Sequence, residues 1–250
     1  MLTPSSNTVL EPVSAAMLRD LPEVSVHFGR FRVTEIALSE AALGQFGDAP
    51  MLEAARLLAD ARVDTICWNG TSAAWLGLDR DRDLCAAITA TTGVSATSSV
   101  AAMIEGLRLA GIGKVGVVSP YTADVQEKIV ETLGGEGFEV TAERHLGICD
   151  NFSFGTVAPA EIERMAREVA AAGVGALLVL CTNLRAMPFV PALERDFDVV
   201  VLDSVATAVW GSLRAIGVDP ARLAGWGRLF APGFGAIATA AAPLLQEVDE

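Results

Sequence analysis

Apolar and polar positions alternate along this chain in two rhythms. Short runs rich in Val and Ile predict buried strands at 63–68, 115–119, 176–180 and 199–203. Between and around them, apolar residues recur every three or four positions at 51–61, 80–91, 100–110, 123–133, 159–171 and 205–215. That is the period of a helix with one buried face. Thr97, Ser98 or Ser99 can cap the third of these helices, and Pro159 suits a first helical turn. Strands alternating with helices predict an α/β fold built on a mostly parallel sheet flanked by helices.

Ligands of such sheets bind beyond the carboxyl ends of the strands. The exits carry Asn69-Gly70-Thr71-Ser72, Pro120-Tyr121-Thr122, Cys181-Thr182-Asn183 and Ser204. Small hydroxyl residues therefore recur where helices or turns begin and free backbone N–H groups point outward. The spacing also suggests a duplication. Gly70 follows 66 residues after Pro4 of Pro4-Ser5-Ser6-Asn7, and Cys181 follows 61 residues after Pro120. Two pseudo-symmetric halves are expected, about 1–114 and 115–230, with the chain free to cross back and with the 70 and 181 loops facing across a cleft. The segment 231–250 is apolar, then acidic, and is read as a tail.

Composition narrows the function. A net charge of −13 argues against a nucleic-acid partner, which needs clustered Lys and Arg. Local donors, not the overall field, must hold an anionic ligand. Cys67, Cys85, Cys149 and Cys181 are widely spaced and accompanied only by His27 and His145, so no metal site is expected. Cys67, Cys85 and Cys149 read as structural, and the two histidines as surface or core residues. With no leader pattern and no apolar run of about 18 residues, the expected setting is the cytoplasm, away from membranes. Homo-oligomerisation is left open.

At Gly70-Thr71-Ser72, Pro120-Tyr121, Cys181-Thr182-Asn183 and Gly225-Trp226-Gly227-Arg228-Leu229-Phe230 the chain resembles the aspartate/glutamate racemase superfamily, within it the arylmalonate decarboxylases and maleate cis–trans isomerases. The resemblance runs from about residue 3 to 230. It implies two pseudo-symmetric α/β halves, a site between them, no cofactor, and a small carboxylate or dicarboxylate substrate. Racemases of this superfamily carry one cysteine in each half. Here the second-half position is Cys181 and the first-half position is Gly70, as in arylmalonate decarboxylases. Pro4-Ser5-Ser6-Asn7 and Asp150-Asn151 look more like maleate isomerases. The first strand is short, with only Met1-Leu2-Thr3 before Pro4, which implies a truncated strand or a start further upstream.

The implied chemistry passes through an enediolate. Thr71, Ser72, Tyr121 and Thr182 would hold its oxygens through hydroxyls and the Ser72 and Thr182 amides. Asn7, Asn151, Gly70 and Asn183 would contact the substrate, and Cys181 would move the proton. One cysteine suffices for decarboxylation with one-sided protonation, whereas two-base racemisation lacks its second base. The first expectation is decarboxylation of a substituted malonate. The alternatives are isomerisation or racemisation of a small dicarboxylate or amino acid, and a non-catalytic small-carboxylate binder. Pocket walls are expected from Ile36, Ala37, Leu38 and Leu43, and from Phe152 and Phe154.

Overall fold

The computed structural model describes residues 1–234, so the expected 231–250 tail lies almost wholly outside them. Among the described residues, eight strands form two four-stranded sheets in which every pair is parallel. The first contains β1 (Leu2–Pro4), β2 (Gly29–Phe31), β3 (Ile66–Trp68) and β4 (Ala96–Ser98), in the order β2-β1-β3-β4. The second contains β5 (Lys114–Ser119), β6 (Glu139–His145), β7 (Ala176–Val179) and β8 (Val200–Asp203), in the order β6-β5-β7-β8. The two orders are the same, so the second half repeats the first, as the exit spacing suggested.

The expected strands correspond to β3, β5, β7 and β8. The others escaped the apolar-run test for physical reasons. The inner strand β1 is only three residues long, and β2, β4 and β6 are edge strands with mixed burial. Edge strands need little apolar surface, and polar residues on them discourage pairing with other chains.

The six expected helices are Asp48–Asp60, Leu78–Thr92, Ser99–Leu109, Ala123–Gly135, Pro159–Ala170 and Ser204–Ala215. In Pro159–Ala170 the buried residues are Ile162, Met165, Ala166, Val169 and Ala170, one stripe at helical spacing, with Pro159 in the first turn. Of the three candidate caps, Ser98 serves: its hydroxyl accepts the Ala101 N–H at 2.9 Å. Five further helices are too short or too mixed for the periodic test: Leu10–Met17, Glu40–Gly44, Ala73–Leu76, Asn151–Phe154 and Val190–Phe197. No described helix is long and apolar enough to cross a membrane.

Helix contacts join the halves. Ser204–Ala215, buried along almost its whole length, packs on Ser99–Leu109 and also reaches β3, β4 and β8. Ala73–Leu76 packs on Ala123–Gly135. Both helices of the first contact follow the last strand of their sheet, so the duplication places equivalent elements against each other. The Gly225–Phe230 motif closes the second half. Glu194 accepts the N–H groups of Val201 (3.0 Å) and Arg228 (2.7 Å), with Leu229 and Phe230 buried beyond it.

Candidate active site between the halves

The carboxyl ends of both sheets meet at the 69–72 and 181–183 loops. Thr182 Oγ donates to the Asn69 carbonyl at 3.2 Å and accepts from Asn7 Nδ2 at 3.0 Å. Thr71 Oγ and the Tyr121 hydroxyl share a hydrogen bond of 2.6 Å. These three contacts cross between residues of the two halves, so the facing-loop arrangement is present.

Cys181 sits one residue beyond β7, separated from it by Leu180, and is 3 % exposed. Its Sγ accepts the Asn183 N–H at 3.3 Å, and the Tyr121 hydroxyl faces it as a second donor. Burial nevertheless pushes the thiol up to about 12; the Asn183 N–H and Tyr121 hydroxyl pull the other way, and the Asp203 carboxylate adds to the rise. The Tyr121 hydroxyl is itself held far above its ordinary value, first by burial and then by the neighbouring Cys181. Burial thus favours the neutral form of both thiol and phenol.

The three asparagines sit at the seam between halves. Asn7 Oδ1 accepts the N–H groups of Val9 and Leu10, both at 2.9 Å, which fixes its Nδ2 toward Thr182. Asn151 Nδ2 donates to Ser6 Oγ at 2.7 Å. Asn183 is engaged at both ends: Oδ1 accepts from Thr8 N (2.9 Å) and Nδ2 donates to the Asn151 carbonyl (2.6 Å). Its amide ties the halves together, and its backbone N–H orients the Cys181 sulfur.

Ser72 is buried beside Trp68, Phe46 and Ala73, just before the helix Ala73–Leu76. Its N–H lies ahead of the first helical turn, where amides have no intrahelical acceptor. Gly70 is buried on the same loop, and its carbonyl accepts the Ser99 hydroxyl at 2.8 Å.

A loop from each half closes over this region. Ile36 N–H donates to the Cys149 carbonyl at 2.8 Å and Asn151 N–H to the Thr34 carbonyl at 2.9 Å, around a bridge pairing Glu35 with Asp150. Of the expected wall residues, Ile36 and Phe154 are buried, and the Phe154 ring lies 5.5 Å from Tyr121. Ala37, Leu38 and Leu43 are half-buried. Phe152 is a correction: it is 53 % exposed, because the turn Asn151–Phe154 puts Phe152 and Phe154 on different sides.

Sequence reasoning passed over four neighbours of the site. Trp75 packs edge-on to Tyr121 at 4.9 Å, with its indole N–H buried and unpaired among the described residues. Ser6 holds Asn151. Asp203 ends β8 wholly buried, and desolvation raises it to about 7 against two backbone hydrogen bonds from Val205 and Ala206. Trp68 lies beneath Gly70; the signal for it was the two-residue strand period, which puts 68 and 70 on one face. Cys67 points to the other face, against Ser212, where burial raises its thiol to about 12. His145 pairs with Glu143 at 2.9 Å on the edge strand β6.

Residues 12–230 match the arylmalonate decarboxylase family. The maleate isomerase of Nocardia farcinica is 30 % identical over 239 residues, covering 92 % of this chain and 93 % of that protein. The arylmalonate decarboxylase of Bordetella bronchiseptica is 25 % identical over 233 residues, covering 92 % and 95 %. Among solved structures, a cysteine-to-serine variant of the N. farcinica maleate cis–trans isomerase, with a covalently bound succinylcysteine intermediate, superposes with a TM-score of 0.81 at 27 % identity, covering 92 % of this chain and 96 % of that one. Fold, seam geometry and these likenesses converge: the chain is an enzyme of the arylmalonate decarboxylase family, within the aspartate/glutamate racemase superfamily.

Proposed function

We propose that the protein acts without a cofactor at the carbon beside a carboxylate, decarboxylating a substituted malonate with Cys181 as the only proton donor. The observation that carries this reading is a single neutral thiol facing the Tyr121–Thr71 hydroxyl pair, with a glycine where a second thiol would stand. In the reaction the bond from the α-carbon to one carboxylate breaks and CO2 leaves. The electron pair stays on the α-carbon and spreads into the remaining carboxylate as an enediolate. The Thr71 and Tyr121 hydroxyls and the Ser72 and Thr182 N–H groups hold its oxygens, each such donor being worth about 3 kcal/mol in the transition state. The Cys181 proton then passes to carbon, and solvent returns a proton to the thiolate. Asn7 and Asn151 flank the space and take a second polar group of the substrate, while Asn183 positions the sulfur.

A second reading rests on the 30 % identical maleate isomerase. There a first-half thiolate, at the place Gly70 occupies, would add to one alkene carbon of maleate while Cys181 gives its proton to the other, the new single bond would rotate, and return of that proton to Cys181 with loss of the thiolate would release fumarate. This chain has glycine at that place, which counts against the reading.

One assay separates the readings. Purified protein is given 2-methyl-2-phenylmalonate in one vessel and maleate in another, with CO2 and fumarate measured. CO2 from the first, lost in Cys181→Ala, is the expected result. Fumarate from the second with no CO2 from the first would replace it with the isomerase reading.

A further inference from the structure

The space that a side chain at position 70 would take is already filled. A Cβ built on Gly70 would lie 1.9 Å from Cζ2, 2.3 Å from Cη2 and 2.6 Å from Cε2 of Trp68. No two unbonded heavy atoms tolerate such distances, so the indole and a residue-70 side chain exclude each other. The ring is closely packed. Trp68 is 1 % exposed and packs on Phe31 at 5.2 Å between ring centres. Phe46, Met51, Leu76 and Leu84 bound a void beside it of only about 10 Å³, no more than a single water occupies.

We propose that Trp68 is a specificity-determining residue: it fills the space into which a residue-70 side chain would project, keeps position 70 a glycine, and so confines proton transfer to the Cys181 face. The inference rests on the reading of Cys181 as proton donor. It goes further by naming what makes the chemistry one-sided, and it implies that a prochiral malonate yields a single enantiomer of the product acid. Exchanging bulk between the two positions should open the second face. In a variant with a small residue at 68 and a thiol at 70, the thiolate on one face removes the α-proton of the product acid while the thiol on the other face donates one, and the acid racemises.

The exclusion itself is tested by a thermal double-mutant cycle, whatever the reaction. Gly70→Ala should lower Tm by about 5 °C, the cost of overpacking one methyl in a domain this size. Trp68→Leu alone should lower it by about 10 °C. The double variant should melt well above the sum of the two losses. Simple addition of the losses would overturn the proposal. The chemical consequence is read by incubating a single enantiomer of 2-phenylpropionate in D2O. Trp68→Leu with Gly70→Cys should gain α-deuterium and lose optical rotation at least ten times faster than wild type or Gly70→Cys alone, and Cys181→Ala in that background should abolish the gain. Equal racemisation by Gly70→Cys alone, or none by the double variant, would overturn it. Coupled stabilities in a wild type that releases no CO2 would uphold the exclusion at position 70 and refute the functional reading instead.

Discussion

The Cys181 thiol lies where loss of solvent outweighs the two donors that favour its anion, Asn183 N–H and the Tyr121 hydroxyl. A thiol in that state gives a proton readily only to a strongly basic carbon, which is what an enediolate offers. Tyr121 touches both ends of the proposed chemistry, bonding Thr71 and facing Cys181. Tyr121→Phe should therefore lower kcat about 100-fold with little change in KM, as steady-state kinetics on the malonate would show. Asp203 carries a different consequence. Its folded value of about 7 stands above the ordinary 3.8, so between those pH values the unfolded chain releases a proton that the folded chain keeps. Stability from this group is thus fully present below about pH 4, declines as pH rises to about 7, and is level above. Asp81, raised by burial to about 6, adds to the same decline. Urea unfolding across pH 4 to 8 should show the slope, and Asp203→Asn should flatten it. Most residues of the candidate site were legible as a cluster, because strand exits and hydroxyl types mark them. Trp68 was not, because an aromatic at a buried strand end reads as core until the missing Cβ two positions later is placed in space.

Among the elements, the legible ones were those whose burial is one-sided or complete. The inner strands β3, β5 and β7 and the six long helices fall in this class. The edge strand β6 carries Glu139, Glu143 and Arg144 among its residues and leaves no apolar run to find. The Gly225–Phe230 motif reads in sequence only as a likeness; its role emerges from backbone geometry. Gly227 has φ of 115°, a region closed to most L-residues, and a Cβ there would meet Val190 Cγ1 at 2.9 Å. The turn delivers the Arg228 N–H to Glu194, which also accepts the Val201 N–H of β8. Gly227→Ala should destabilise by roughly 2 kcal/mol, measurable by denaturant midpoint, with activity per folded molecule reduced less than in Tyr121→Phe.

At the scale of the whole molecule, the spacing of the exits carried the duplication, and the shared strand order β2-β1-β3-β4 and β6-β5-β7-β8 bears it out. What spacing cannot carry is the seam, where side chains from distant sequence must meet. Asn183 is its clearest stitch, bonding Thr8 of the first half and the carbonyl of Asn151. Asn183→Ala would leave that buried carbonyl unpaired and should cost about 2 kcal/mol, seen as a lower denaturant midpoint.

The most direct measurement is the fate of the α-carbon when 2-methyl-2-phenylmalonate is turned over in D2O. One deuterium per CO2 released, on one enantiomer of the product, with both products lost in Cys181→Ala, is what a lone sulfur delivering its proton from one side predicts. Turnover that persists in Cys181→Ala, or racemic product from the wild type, would contradict it.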